Sequence, residues 1–376
     1  MTIQTIFFDG TFLTNNAGIG RDARNLLEVL KSEFAWDVKI IYPKRRLISR
    51  KVKISSKPVS SILLQRLYSF RVAVTQKPDI LNLPAGCIFI QPHLYGVVPE
   101  NQKEIQYIIR LHDLFPISNP EWFRFYSNRI FETSLRTSLI YGRFLCDSQA
   151  TQSALRTISE IAWSRSQVAY CPVRRLMSIP CNKCFACQNF LTPKSYLIAV
   201  GTIEPRKNHY GLVEAWVHVL PSLEANSALV IVGKKGWKSG RTTRKILSLK
   251  HSRVLWLQDV CDKGLNFLLA NAQSLVSTSF EEGFNLPVAE ALMAGTPVLI
   301  SNNSVHKEIY NGFANFFDLN SKDSLTQGIV ESFQTPGVSN REILSAKFNF
   351  DENMKILAKK MNLLIYQGTT NQKIED

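Results

Sequence analysis

Residues 279–298 read SFEEGFNLPVAEALMAGTPV, and they predict more of the fold than any other stretch of the chain. The five residues directly before them, Ser-Leu-Val-Ser-Thr, predict a strand. Pro287 suits the first turn of a helix, where its missing N–H group needs no partner. Gly295 suits the end of that helix, and the proline two residues later prevents the helix from continuing. The stretch therefore predicts a strand, a short loop and a helix, in that order.

The predicted loop has the form of an anion-binding site. Its backbone N–H groups lie at the N-terminus of a helix, which attracts groups such as a diphosphate. Glu282 and Glu290 flank the loop. Because a carboxylate accepts two hydrogen bonds from a vicinal diol, each can hold a sugar or a ribose. The residues also allow an ordinary turn between two solvated acids. The loop consists of Gly283, Phe284, Asn285 and Leu286.

The second half of the chain alternates between apolar runs and helical spacing. The runs predict strands because they are short, continuous and rich in Val, Ile and Leu. Such strands, alternating with helices, indicate a parallel sheet covered on both faces, which is a doubly wound α/β domain. The predicted strands are residues 196–200, 228–232, 253–257, 274–278 and 297–300, and the clearest helix is 209–220.

The first half shows a similar but less regular pattern, and the total of 376 residues suits two domains. Proline and cysteine cluster and the periodicity disappears near residues 171–193, where we predict the boundary. We predict Rossmann-like domains at 1–190 and 191–349, followed by an amphipathic helix within 350–376. The predicted strands of the first half are 3–8, 38–42, 87–90, 107–110 and 144–146, and its first helix is 22–30.

The block around the two glutamates resembles a known family. Seven residues around Gly-Phe-Asn-Leu-Pro separate Glu282 from Glu290, which resembles the Glu-x7-Glu signature of the retaining GT-B glycosyltransferases of family four, also called group one. The resemblance implies two Rossmann-like domains that face a cleft. It implies an acceptor site in the first domain, a nucleotide-sugar site in the second, and a terminal helix that returns to the first. It also implies that Glu282 holds donor-sugar hydroxyls and that Glu290 holds the ribose.

Residues 200–208, VGTIEPRKN, place two cations between a predicted strand and a predicted helix. A departing diphosphate needs positive charge, which Arg206 offers as a bidentate fork and Lys207 as a point charge. The family resemblance assigns the lysine of this Pro-Arg-Lys pattern to the donor phosphates. Many members carry an arginine directly after the glycine, where this chain has Thr202, so we expect Arg206 to supply the second charge. From the residues alone, such a pair is usually a surface feature.

Residues 110–116, RLHDLFP, follow a predicted strand of the first half. A lone histidine is usually structural, but the carboxyl end of a parallel strand is a common place for a ligand site. The segment resembles the His-Asp-x-x-Pro motif of the same family, which implies that His112 lies beside the donor sugar. Asp113 belongs either to the site or to a turn.

Residues 15–21, NNAGIGR, form the predicted first loop. They lack the third glycine of a dinucleotide fingerprint, which disfavours NAD. The family resemblance implies that the backbone at Gly20 approaches the donor diphosphate. Arg21 either contacts phosphate or caps a surface helix.

The sequence predicts a reaction that requires no metal or other cofactor. It contains no Asp-x-Asp triplet of the kind that holds a divalent cation under a nucleotide diphosphate in the other large glycosyltransferase fold. Arg206, Lys207 and a helix N-terminus supply the charge instead. A structural metal at four clustered cysteines is an alternative, but their spacing is not that of paired knuckles, and we favour reduced thiols. These are Cys171, Cys181, Cys184 and Cys187.

The resemblance implies a retaining hexosyltransferase that uses a nucleotide-sugar donor. Residues 202–208 and 112–116 look like the mannosyltransferase-like branch, which favours GDP-mannose, and the implied acceptor is a glycan or a lipid-linked glycan. A catalytically inactive GT-B binding protein and a nucleotide-sugar epimerase are the alternatives. A nucleic-acid-binding protein is disfavoured because no recognisable module is present.

The positive charge is concentrated in the first half of the chain. The net charge is +15, and residues 38–78 carry eleven basic residues and no acidic one. The same segment contains apolar side chains, so it predicts either peripheral association with an anionic membrane surface or a solvated basic face. The start of the sequence has no secretory leader and no apolar run is long enough to cross a membrane, so we expect a cytoplasmic protein, or one at the inner face of the membrane.

Overall fold

The computed structural model describes residues 5–15, 18–32, 37–44, 51–57, 70–174, 192–249, 252–334 and 347–371. The chain divides into two compact units. The first comprises Met1–Pro172 and Asp351–Asp376, and the second comprises Val173–Phe350. The predicted domain boundary at residue 190 lies outside the described residues.

Nine strands of the described residues form the sheet of the first unit, in the order β6-β4-β3-β2-β1-β5-β7-β8-β9. Neighbours run parallel except β2 and β3, which are antiparallel. Strand β5 is buried at every position, as continuous apolar runs predict. The strands are β1 (Ile6–Asp9), β2 (Val38–Lys44), β3 (Lys51–Ser55), β4 (Asp79–Leu81), β5 (Ile88–Gln91), β6 (Val97–Pro99), β7 (Gln106–Leu111), β8 (Arg143–Cys146) and β9 (Ser166–Val168).

The helices of the first unit connect these parallel strands. Helix α1 buries Ala23, Leu26 and Leu30, which share one face because they recur every three or four residues. The Ser148 hydroxyl caps α4 by accepting from the Thr151 N–H group at 3.1 Å. The helices are α1 (Gly18–Ser32), α2 (Phe115–Ser118), α3 (Phe125–Ser138), α4 (Gln149–Ile158) and α5 (Glu160–Ser164).

Six parallel strands of the described residues form the sheet of the second unit, in the order β12-β11-β10-β13-β14-β15. This is the 3-2-1-4-5-6 order of dinucleotide-binding folds. The strands are β10 (Tyr196–Val200), β11 (Ala228–Val232), β12 (Val254–Leu257), β13 (Ser274–Ser277), β14 (Val298–Ser301) and β15 (Asn315–Phe317). The doubly wound α/β prediction is therefore confirmed.

In the second unit, helix α9 begins and ends where the sequence predicted. Asn285 precedes α9 in the left-handed conformation, with φ of 71°, and Gly295 follows that helix with φ of 80°. The helices are α6 (His209–Val219), α7 (Gly240–Ser248), α8 (Asp262–Asn271), α9 (Leu286–Met293), α10 (Ser304–Tyr310) and α11 (Lys322–Gln334).

The last helix, α12 (Phe350–Asn371), packs on the first unit. Arg143 Nη1, at the start of β8, donates to the carbonyl of Leu364 at 3.0 Å, and Lys360 Nζ donates to Gln167 Oε1 at 3.2 Å. The apolar face of α12 is buried at Leu357, where the side chain is fully covered. The returning helix that the family resemblance implied is thus present.

Candidate functional site

The carboxyl ends of β10 and β13 meet where the strand order of the second sheet reverses. These two strands are neighbours in the sheet, with Leu197 opposite Ser274. In the sequence, β11 and β12 lie between them. Ligands of open α/β sheets bind in the crevice at such a switch point. The predicted phosphate residues follow β10 and the predicted sugar residues follow β13, so the fold brings the two sets together.

Glu282 lies between the two predicted phosphate-binding cations. Lys207 Nζ is 2.6 Å from Glu282 Oε1, and Arg206 Nη1 donates to Glu282 Oε2. Arg206 Nη2 also donates to Glu204 Oε1 at 2.9 Å, and Nη1 to the carbonyl of Glu281 at 2.8 Å. The four ion-paired side chains are largely buried. They form a compact cluster of two cations and two carboxylates.

The charges of this cluster shift the pKa values of its carboxylates. Burial alone would raise the pKa of Glu282, but the adjacent Arg206 and Lys207 outweigh it and hold that pKa well below the ordinary range. Burial raises the pKa of Glu204, which Arg206 only partly offsets. Burial also lowers the pKa of nearby His209 to about 3, so this imidazole is neutral. Glu282 is therefore a permanent carboxylate at physiological pH.

The backbone before the cluster needs a glycine. Gly201 has φ of 152°, which side chains rarely adopt, and a Cβ there would lie 3.3 Å from Lys207 Cε. Farther along, Asn208 has φ of 50° and its side chain accepts from the Gly211 N–H group at 3.2 Å, which caps α6. The aliphatic part of the Lys207 side chain therefore packs against the backbone of Gly201. The capped helix α6 begins two residues after this lysine.

Buried polar side chains fix the loop before α9. Asn285 Nδ2 donates to Ser277 Oγ at 2.9 Å and to His306 Nε2 at 2.8 Å, and the Tyr310 hydroxyl lies 3.0 Å from the carbonyls of Phe284 and Asn285. His306 accepts there as a neutral ring, because burial lowers its pKa to about 4. The loop is preorganised, and Leu286 is the first helical residue rather than a loop residue as predicted.

The second predicted carboxylate lies in α9. Glu290 is buried, with 8% of its surface exposed. Gly283 joins Glu282 to the loop and is also buried. Glu282, Arg206 and Lys207 are therefore joined by direct contacts, whereas Glu290 belongs to the helix that starts at the same loop.

His112 belongs to the first unit, directly after β7. Its Nδ1 is 2.7 Å from Asp147 Oδ2, and its Nε2 is 2.9 Å from the carbonyl oxygen of Pro92. Asp147 directly follows β8, the neighbour of β7, so both side chains come from the same edge of the first sheet. Asp113 accepts from the Phe115 N–H group at 3.3 Å, as in a turn.

Gly20 lies in the first turn of α1 and not in a loop as predicted. A Cβ at this position would lie 1.8 Å from the carbonyl oxygen of Asn15 and 2.8 Å from that of Phe12. The helix starts so close to the preceding backbone that only a glycine fits. Arg21 belongs to the same turn.

Several buried polar residues of these clusters were not predicted as site residues from the sequence. In the first unit they include Asp22, Arg110 and Asp147, and in the second they include Glu204 and His306. A signal existed for Asp147, because a charged residue directly after an apolar strand lies at the carboxyl edge of a parallel sheet. The others are recognisable only from contacts.

The described residues include one group with the composition of a metal site. Ligand atoms of Asp22, His112 and Asp147 lie within 4.8 Å of one another. Arg110 already places a cation against both carboxylates, so a metal ion would have to displace it. Cys171 is a buried free thiol whose Sγ is 3.5 Å from Asp147 Oδ2. The other three cysteines of the predicted cluster lie outside the described residues.

Comparisons with known proteins bear on the family and the fold. Residues 185–346 match the sequence family described as Glycosyl transferases group 1. O-antigen chain mannosyltransferase B from Escherichia coli is 27% identical over 262 residues. That alignment covers 64% of this chain and 64% of the relative, which is less than two thirds of the relative's length.

Two solved structures share the fold over nearly the whole chain. Sucrose-phosphate synthase from Thermosynechococcus elongatus has a TM-score of 0.65 at 16% identity, covering 98% of this chain and 100% of that one. Anabaena Alr3699/HepE in complex with UDP and glucose has a TM-score of 0.61 at 15% identity, covering 96% and 99%. At these identities the likeness shows the fold alone, and it confirms the GT-B prediction.

Proposed function

We propose that this chain, whose residues 185–346 belong to the glycosyl transferases group 1 family, transfers a sugar from a nucleotide diphosphate sugar to an acceptor hydroxyl. One observation carries the proposal: Glu282 is held between Arg206 and Lys207 at the switch point of a Rossmann-like sheet. A diphosphate there meets two cations and the N-terminus of α9, and a sugar beside it meets a carboxylate. We assign donor binding to residues 191–349 and acceptor binding to 1–190.

The proposed mechanism follows from the negative charge that develops on the leaving diphosphate. The C–O bond to the leaving diphosphate breaks through an oxocarbenium-like transition state, as in glycoside hydrolysis. Arg206, Lys207 and the loop before α9 meet the growing negative charge, and Glu282 accepts hydrogen bonds from sugar hydroxyls while Glu290 accepts them from the ribose. We propose attack on the same face as departure, which retains the anomeric configuration, with the leaving phosphate helping to deprotonate the acceptor. The two cations make a divalent metal unnecessary in this scheme.

We propose GDP-mannose as the donor. The segments 202–208 and 112–116 resemble the mannosyltransferase-like branch, and the Escherichia coli relative is named a mannosyltransferase. In a competition titration with a fluorescent nucleotide, GDP is expected to displace the probe at least tenfold more tightly than UDP. Glu290→Ala should weaken both nucleotides by about 1.5–3 kcal/mol, because it removes a charged hydrogen-bond acceptor from the ribose. Saturation by UDP without competition from GDP would overturn the donor assignment.

We propose that the acceptor is a glycan or a lipid-linked glycan. We also propose that the protein binds this acceptor at an anionic membrane surface. The acid-free segment 38–78 supplies exposed cations such as Lys53 and Lys57. Phe70, in the described part of this segment, is 51% exposed. Phe125, which lies outside the segment at the start of α3, is 63% exposed, and the Arg129 guanidinium is 5.3 Å from the centroid of its ring. Exposed aromatic rings beside cations suit the interface of an anionic bilayer. Among the described helices, none combines the length and apolar character needed to cross a membrane.

Liposome sedimentation tests this surface. Binding is expected to rise with anionic lipid and fall with salt, since salt screens the attraction. Replacing Lys53 and Lys57 by serine should weaken binding by about 1 kcal/mol per charge, and Phe125→Ser should weaken it further. Leu247→Ser, which alters a 56% exposed side chain of the second unit, is the matched control. Equal pelleting with neutral and anionic vesicles, or none at low salt, would favour a solvated face and a soluble acceptor.

A further inference from the structure

Both ring nitrogens of His112 face atoms that only accept hydrogen bonds. Nδ1 faces a carboxylate oxygen of Asp147 at 2.7 Å, and Nε2 faces the carbonyl oxygen of Pro92 at 2.9 Å. A neutral imidazole carries one N–H group, so it satisfies one of these contacts and sets a lone pair against the other acceptor. Only the doubly protonated ring donates to both. The geometry therefore selects the imidazolium form.

The carboxylate that holds this ring is shared with a buried arginine. Arg110 Nε is 2.8 Å from Asp147 Oδ1 and 2.9 Å from Asp22 Oδ2, and Arg110 Nη2 reaches Asp22 Oδ1 at 3.2 Å. Arg110 Nη1 donates to the carbonyl of Ala169 at 2.8 Å. Two carboxylates thus balance two cations, which is the condition under which buried charges persist.

The other titratable groups around the ring, His93 and Cys171, are neutral and leave the positive charge on His112. Burial and the nearby His112 lower the pKa of His93 to about 3, and the two rings are 5.8 Å apart, so His93 is neutral. Burial raises the pKa of the Cys171 thiol, which donates to Asp147 and remains protonated. Burial alone would lower the pKa of His112, but Asp147 outweighs it and raises that pKa to about 9.

We propose that Asp147 is a positioning residue which, with Arg110 and Asp22, holds His112 as a fixed imidazolium at the edge of the first sheet. The network ties four parts of the chain together: α1, the end of β7, the residue after β8, and the segment at Ala169. Resting on the proposed glycosyl transfer, His112 then serves the reaction by its fixed positive charge. It does not exchange a proton during turnover.

The first experiment uses the intact protein and no substrate. Imidazole nitrogen shifts of histidine-labelled protein are followed by NMR from pH 5 to 9.5, with the His112→Gln spectrum identifying the resonance. The ring is expected to remain doubly protonated through pH 8. A midpoint near the ordinary value of about 6.5 would overturn the proposal, whatever the enzymatic activity proves to be.

The second experiment separates positioning from a merely structural role. Asp147→Asn removes the charge opposite His112 while Asp22 still holds Arg110, so the His112 midpoint is expected to fall by at least one pH unit. Turnover of this variant should then decline with rising pH between 6 and 8, where the wild type stays flat, and Asp147→Glu should restore the flat profile. Glu132→Gln, at an exposed helical ion pair, is the control. If Asp147→Asn left the His112 midpoint unchanged, the network would not be what holds the charge.

Discussion

Lys207→Ala is expected to lower kcat by about 10²–10³-fold, the loss seen when one preorganised donor to a developing anion is removed. Lys207 Nζ is held 2.6 Å from Glu282 Oε1, so the cation is already in place before the diphosphate departs. Alanine leaves Arg206 alone to meet the charge. The measurement is release of nucleoside diphosphate at saturating donor, with thermal unfolding as a check on the fold.

The matched control is Lys234→Ala. Lys234 follows β11 and pairs with Asp259, but both side chains are more than two-thirds exposed, and exposed pairs contribute little. Its turnover is expected to stay within about twofold of the wild type. Equal losses in the two variants would mean that general positive charge matters and that Lys207 has no special place.

Glu282→Gln is expected to separate turnover from nucleotide binding. The amide lacks the charge that strengthens the hydrogen bonds to the sugar hydroxyls, which should reduce kcat by about 10- to 150-fold, equivalent to about 1.5–3 kcal/mol. Arg206 and Lys207 lose a counter-charge at the same time, so a nucleoside diphosphate should bind as tightly as before or more tightly. The two quantities are measured by steady-state kinetics and by calorimetric titration with GDP.

The direction of the binding change distinguishes two roles for this carboxylate. If Glu282 served only to hold the loop, Glu282→Gln would weaken nucleotide binding along with turnover. Glu290→Ala provides the comparison, because its main effect is expected on nucleotide affinity. Wild-type behaviour of both variants would refute the assignment of the Glu-x7-Glu pair.

The second unit was predictable because its signals are local. Pro287 and Gly295 mark the start and the end of α9 within nine residues of each other, and both positions are confirmed. Strands β10, β11 and β14 are almost entirely apolar and buried, as a parallel sheet covered on both faces requires. Strand β15, which is short and begins at an exposed asparagine, was not predicted. A site that follows two adjacent strands can therefore be located from the order of its motifs.

The first unit was less predictable because its important contacts are distant in sequence. Arg110 reaches Asp22 across 88 residues, and no spacing rule joins them. Gly20 was predicted in a loop, since a Gly-x-Gly pattern suggests one, but it permits the close start of a helix. The antiparallel β3 lies in a basic segment whose charges obscure the alternation of buried and exposed positions.

The most direct test of the account is a donor screen in the presence of EDTA. The protein is incubated with GDP-, UDP- and ADP-sugars, with and without added acceptor, and the nucleoside diphosphate released is quantified. We predict GDP release from GDP-mannose that persists in EDTA and is nearly abolished by Lys207→Ala. Intact nucleotide binding without release from any donor would contradict the account, and so would activity lost in EDTA and restored by Mg²⁺ or Mn²⁺.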